Sequence, residues 1–318
     1  MANIEKRRAW LWCACACTCM STTAAFAQVQ AQGFAVERLV LSAPGNNWVS
    51  MDDLQLDGGL GGALSLTLGY ANSPLRITSA DGAETLAVVE HQAFANLGLA
   101  VTYDRFRFHL ALSSPLAVTG QSGAVDGAQF TAPSVNLEHN PDSLADAQLG
   151  LDARLWGAVD GPLRLGASAT LIAPSGARST YLTDDTWRAM GRVLLAGDAG
   201  MISYAGDIGV HIRPLDDASV PQSPQGSELL FGIAGAIKLP GLEQSIQIGP
   251  EIFGATALRA CFGGDTTALE GLLTARFDGS RFGAGRLRIK AGLGAGLNPE
   301  FGAPRWRAVL GLELVGGR

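Results

Sequence analysis

The stretch Ala147-Gln-Leu-Gly-Leu-Asp-Ala-Arg-Leu155 and, after a Val159-Asp160-Gly161-Pro162 turn, the stretch Leu163-Arg-Leu-Gly-Ala-Ser-Ala-Thr-Leu171 carry an apolar residue at every second position. Successive side chains of an extended strand point to opposite faces, so Leu149, Leu151 and Leu155 share one face while Gln148, Asp152 and Arg154 share the other. The two stretches predict a hairpin with one face suited to lipid and the other to water. Each has about the length that a tilted strand needs to cross a bilayer.

The same alternation returns in residues 62–70, 91–103, 105–113, 187–197, 202–212, 227–239, 245–255, 266–277, 287–297 and 306–315. Links between these segments alternate in length. Short ones sit at Asp104, Gly157 to Pro162, Asp198 to Gly200, Pro240 to Gln244 and Asp278 to Gly285. Long ones run through Ala71 to Glu90, Ser114 to Asp146, Pro174 to Thr186, Pro214 to Gly226, Thr256 to Asp265 and Asn298 to Arg305. A β-sandwich has no reason to alternate its loops, whereas a barrel with one periplasmic and one external rim does. The expectation is an all-β fold: a transmembrane antiparallel up-and-down β-barrel of about twelve strands, with the long loops outside. Tyr70, Tyr103, Trp156, Trp187, Phe277 and Trp306 fall near strand ends, where an interfacial girdle places aromatic rings.

Lys6, Arg7 and Arg8 precede an apolar stretch from Ala9 to Met20, and Ala25-Phe26-Ala27 offers an A-x-A site before Gln28. This is the pattern of a secretory signal peptide over residues 1–27, and the stretch is well short of the ~20 apolar residues of a spanning helix. Cys13, Cys15, Cys17 and Cys19 leave with it, and Cys261 alone forms neither an internal disulfide nor a metal site. Removing Glu5, Lys6, Arg7 and Arg8 from 29 acidic and 23 basic residues leaves 28 and 20, a formal charge of minus 8. With that balance and no basic tract, nucleic acid is not an expected partner. Residues 28–60 lack periodicity and hold Pro44-Gly45-Asn46-Asn47 between two short apolar runs. They read as a periplasmic lead-in, an added hairpin or a plug, ahead of a barrel over 61–318.

The strings Asp57-Gly-Gly-Leu-Gly-Gly-Ala-Leu-Ser-Leu-Thr-Leu-Gly-Tyr70, Tyr103-Asp-Arg-Phe106, His211-Ile-Arg-Pro-Leu-Asp-Asp217 and Gly296-Leu-Asn-Pro-Glu-Phe-Gly302 resemble the N-terminal β-barrel region of OmpA-family outer-membrane proteins of the myxobacterial type. The resemblance covers nearly all of the mature chain. It implies architecture and a bacterial outer-membrane location, with outer-membrane lipid and the barrel-assembly machinery as partners. Members of that family usually continue into a peptidoglycan-binding module; this sequence stops at Arg318, so peptidoglycan contact is not expected from it. The last predicted strand also lacks the terminal aromatic common to outer-membrane barrels.

The polar faces collect Arg154, Arg164, Arg188, Arg192, Asp207, His211, Glu228, Glu270, Arg276, Arg286, Arg288 and Lys290, together with Asp152, Arg213, Lys238, Glu251, Arg307 and Glu313. Such residues either fill a small barrel as a lattice of ion pairs or line a water-filled pore. Twelve strands lie between the filled eight-stranded barrel and the open channel of sixteen to eighteen. The excess of Arg and Lys leans a pore toward anions. A porin-like passive pore for small solutes comes first, a structural or surface-contact envelope protein second, and a barrel-mouth protease using Asp184, Asp185 and His211 third. No cofactor or metal is expected, because no calcium-loop spacing appears and the glycines of Gly292-Leu-Gly-Ala-Gly296 lie inside alternating strand sequence. On this face assignment, Arg at Leu151 or Leu165 should hinder assembly and Leu at Arg164 should not.

Overall fold

The computed structural model describes residues 29–56, 58–82, 85–139, 143–215, 225–239, 246–264, 266–282, 285–298 and 300–316. The expected leader over residues 1–27 and its expected cleavage site at Ala27 lie outside them, as do Asp216 and Asp217.

The strands in chain order are β1 (Val29–Gln30), β2 (Leu60–Thr78), β3 (Thr85–Tyr103), β4 (Phe106–Thr119), β5 (Gly123–Val125), β6 (Ala128–Phe130), β7 (Ser134–Asn136), β8 (Ala147–Trp156), β9 (Arg164–Ala173), β10 (Arg188–Ala199), β11 (Ile202–Ile212), β12 (Glu228–Lys238), β13 (Ile246–Ala257), β14 (Thr267–Phe282), β15 (Gly285–Gly296) and β16 (Trp306–Gly316). Twelve of them, β2 to β4 and β8 to β16, pair antiparallel with their neighbours in sequence. The ring closes where β16 meets β2, with Trp306 opposite Asn72 and Gly316 opposite Gly62. These are the twelve periodic segments.

Alternation sorts the two faces. Along β8, Leu149, Leu151 and Leu155 are exposed while Gly150, Asp152 and Arg154 are buried. The outward set continues around the ring through Leu66, Leu99, Leu110, Leu171, Leu195, Ile208, Ile233, Ile252, Leu273, Ile289 and Leu312, all exposed. An apolar belt of this extent is incompatible with water and suits lipid. Tyr103, Trp156 and Phe277 face outward near the short-turn rim, and Trp187, Trp306 and Tyr70 near the long-loop rim. Trp306 packs on Tyr70 with centroids 4.8 Å apart, and the Tyr70 hydroxyl lies 2.7 Å from His91 Nδ1.

Residues 71–90, expected as a long loop, are mostly strand. β2 and β3 run past the barrel wall, and after β2 the chain turns at Ser79 to Gly82. Ser73 sits in the left-handed region at φ 49 and the register shifts between Asn72 and Leu75, which breaks the alternation that would have revealed the continuation. Beyond the membrane no lipid covers apolar side chains, so they bury one another. Leu75, Ile77, Val88, Val89, Val118, Phe130, Val135, Tyr181 and Leu215 form a separate core above the long-loop rim, joined by Phe34 and Val36. Tyr181 anchors it by donating to the Thr131 carbonyl at 3.0 Å, and burial pushes its phenol up to about 12.

Phe34 and Val36 begin a segment that occupies the barrel. Ala35 lies at the long-loop rim, where its N–H donates to Asp184 Oδ1 at 2.7 Å. The chain then descends, turns at Pro44 to Asn47 beside β14 and β15, returns to mid-lumen at Met51, and leaves at the short-turn rim, where Gly58 N–H donates to the Asp104 carbonyl at 3.3 Å. Residues 31–56 thus enter at one rim and exit at the other. Wall glycines make room for them: a methyl group on Gly166 would lie 2.6 Å from Leu54 Cδ2.

Candidate functional site

The interior is built from inward side chains of the wall and from the inner segment that crosses it. A backbone without regular structure must have its polar groups satisfied, and here wall residues do this. Glu251 of β13 accepts from Val49 N–H, Ser50 N–H and Ser50 Oγ, each at 2.8 Å. Arg288 donates to the Gly45 and Asn46 carbonyls at 2.8 and 2.9 Å, and Lys290 to the Trp48 carbonyl at 3.0 Å. Arg164 Nε donates to the Asp53 carbonyl at 2.8 Å and Arg154 to the Leu56 carbonyl at 3.0 Å.

Charges are paired in the same way. Arg192 bridges Asp52 of the inner segment at 2.7 Å and Asp207 of β11 at 2.9 Å. Arg307 reaches Glu37 at 2.6 Å and Glu270 at 2.5 Å. Glu228 takes Arg38 at 2.8 Å and Arg213 at 2.6 Å, with His211 Nδ1 at 3.5 Å. Arg188 pairs with Asp146 and with Asp184 at 3.5 Å, Arg276 bonds Asn47 and lies 3.4 Å from Asp278, and Lys290 reaches Glu313 at 2.7 Å. Of the twelve candidates, Arg286 stands apart: its side chain is 46% exposed and lies 3.9 Å from Asp278.

Three features escaped the sequence reading. Glu37, Asp52 and Asp53 belong to the aperiodic segment, so the carboxylates that balance the wall arginines were not counted. Arg107, 2% exposed, lies inward on β4, 3.6 Å from Asp152 and 3.9 Å from Asp52. Its inward position follows from the alternation of β4 and was legible. Arg164 is no interchangeable lumen residue either. Besides the Asp53 carbonyl it holds Asp198 at 2.8 Å, so Leu in its place removes one of the two cations on Asp198 and the donor to that carbonyl.

Of the mouth residues proposed for proteolysis, Asp184 is taken up by Arg213 and His211 lies 3.5 Å from Glu228. Asp184 is buried and Asp185 exposed. Both Asp184 oxygens are engaged, Oδ2 by Arg213 Nε at 2.8 Å and Oδ1 by Arg213 Nη2 at 2.9 Å and the Ala35 amide. Burial alone would raise this carboxyl, but the charge and hydrogen bonds of Arg213, with Arg188 and the amide, hold it at about 2.

Part of the interior is unfilled. A cavity of about 130 Å³ lies between the inner segment at Leu39 to Pro44 and the wall of β2, β3, β4 and β8 to β10. It extends from Pro115 and Leu182 at the long-loop rim to Pro44, Ser65 and Glu313 in the lower half.

No protein-family model matches the chain, and no curated protein matches it. Among solved structures it is similar to the COG4313 outer membrane channel from Pseudomonas putida F1, with TM-score 0.56 and 15% identity over 84% of this chain and 100% of that one. Looser likenesses are to the NanC porin (TM-score 0.45, 9% identity, 80% of this chain and 100% of that chain) and to the CymD monoaromatic hydrocarbon channel (0.41, 8%, 92% and 99%). The first likeness shows a shared fold, that of outer-membrane β-barrels.

Proposed function

We propose that the chain is a narrow passive channel of the bacterial outer membrane, porin-like, whose bore is set by the inner segment acting as a plug. The observation that carries this reading is the cavity beside residues 39–44. A barrel whose interior served only stability would close such space, because unfilled volume costs packing energy. Export by a signal peptide cleaved near Ala27, insertion by the barrel-assembly machinery and contact with outer-membrane lipid belong to the same proposal. Kinship with OmpA-family barrels rests on the strings from Asp57 to Gly302 alone.

A second reading is favoured by one feature. The core around Leu75, Val88, Phe130 and Tyr181 stands over the long-loop rim, as a surface-contact protein without conductance would have it. Single-channel recording of the refolded mature chain in a planar bilayer separates the two. Steady conductance supports the channel, and a heat-modifiable but electrically silent barrel supports the surface role.

A further inference from the structure

The cavity that supports the channel reading also has a chemical character, and the ligand inferred here rests on that reading. The charged groups bordering it are already spent on one another: Glu37 on Arg307, Arg188 on Asp146 and Asp184, Lys290 on Glu313. An ion entering would lose its hydration without gaining an unpaired counter-charge, which is costly in a poorly solvated site.

The walls are of two kinds. The inner segment contributes Leu39, Val40 and Leu41, with Ile172 and Met190 beside them. Opposite stand neutral hydrogen-bonding groups of β2 to β4, Ser65, Thr67, Asn96 and Ser113. Among them Asn96 donates to Ser113 Oγ at 2.7 Å. Of the bordering neutral side chains, Gln92, 1% exposed, holds an Oε1 with no hydrogen-bond partner, while the orphan atoms of Arg188 and Glu313 belong to groups already in ion pairs and His109 Nε2 lies 3.7 Å from Asp152. Buried polar atoms are ordinarily partnered, so a cavity edged by such an orphan is built to receive a group that supplies what it lacks. Its volume is close to the ~150 Å³ of an apolar cavity able to hold benzene, which bounds the guest to a molecule of that order.

We propose that this cavity is a binding site on the permeation path for a small uncharged molecule with an apolar body and one hydrogen-bonding end. The apolar body lies against Leu39 to Leu41 and the polar end against the β2 to β4 wall. The selectivity is therefore for neutral solutes, in place of the anions that the wall arginines alone suggest.

The test titrates the full chain in detergent with butyramide, butyrate and n-butylammonium, three molecules of nearly one size, by ligand-observed NMR, and records conductance and the swelling of proteoliposomes in butyramide on the same preparation. Butyramide should bind at least about tenfold tighter than either ion. Ala111→Phe, which fills the cavity from the wall, should abolish that binding while heat-modifiable mobility shows an intact barrel. Should Ala111→Phe fail to fold, Asn96→Leu serves, with binding weakened several-fold. An ion bound as tightly as butyramide, no binding by any of the three, or a folded Ala111→Phe protein that binds unchanged would overturn the proposal. Conductance together with binding and swelling that show no preference for butyramide sinks the ligand and leaves the channel. Butyramide binding to a barrel that neither conducts ions nor lets butyramide enter proteoliposomes sinks the channel and leaves the cavity as a binding site off any permeation path, which also overturns the placement proposed here.

Discussion

Arg307 of the barrel wall grips Glu37 of the inner segment with a two-pronged bond, Nη1 to Oε2 at 2.8 Å and Nη2 to Oε1 at 2.6 Å. The planar guanidinium matches a carboxylate in this way and fixes orientation as well as distance. The same arginine holds Glu270 through Nε, so one fully buried cation joins two wall strands to the segment between them.

Arg307→Met should therefore destabilise the folded barrel by about 3–5 kcal/mol, the usual cost of removing one partner of a buried ion pair. Thermal unfolding in detergent, followed by gel mobility, measures it. A change under about 1 kcal/mol would mean that the clamp is not formed.

Leu151→Arg and Leu165→Arg place a charge on the lipid face and should cost ~2–4 kcal/mol near mid-bilayer. Arg164→Leu should also lower stability, by about 1–3 kcal/mol, because it leaves the Asp53 carbonyl without its donor and Asp198 with Lys238 as its one remaining cation. The three are told apart by where they act: the first two reduce assembly into membranes, while Arg164→Leu yields assembled barrels with an inner segment more open to protease. Equal assembly defects would refute the face assignment.

Acid should loosen the long-loop rim. Asp184 is held at about 2, below its ordinary 3.8, so its contribution is complete above the unfolded value and lost as pH falls through the folded one. The expected contribution is about 2–3 kcal/mol at neutral pH. Asp184→Asn should lack it, so wild type and variant differ in stability above about pH 5 and converge toward pH 2. A pH-independent difference would assign the stabilising role elsewhere.

Orientation can be read from one thiol. Cys261 is exposed in the loop between β13 and β14, on the long-loop rim. A membrane-impermeant maleimide should label it on intact cells. Labelling only after the outer membrane is opened would put the long loops inside.

The barrel was legible because lipid enforces a strict rule at every second residue, and segments such as 147–155 and 202–212 obey it. The cap was not, since Ser73 and Pro74 interrupt the alternation and Leu75, Ile77, Val88 and Val89 answer to one another rather than to a bilayer. The inner segment was hidden for a different reason. Its hold on the wall runs largely through the carbonyls of Gly45, Asn46, Trp48, Asp53 and Leu56, and a backbone oxygen leaves no mark in a sequence. Most inward arginines were legible, as were wall partners such as Asp207, Glu228, Glu270 and Glu313. Arg107 was passed over, and Glu37 and Asp52 of the inner segment carry no periodic mark, so the anion preference was drawn from an incomplete charge count.

Because residues 31–56 run from one rim to the other through a ring sealed by the pairing of β2 with β16, the protein is a rod passed through a hoop made of its own later residues. The rod has no sideways exit. It either lies in place before the hoop is fastened or is drawn through afterwards, and a nick at Gly58 or Gly59 would leave two pieces that stay together without a covalent bond.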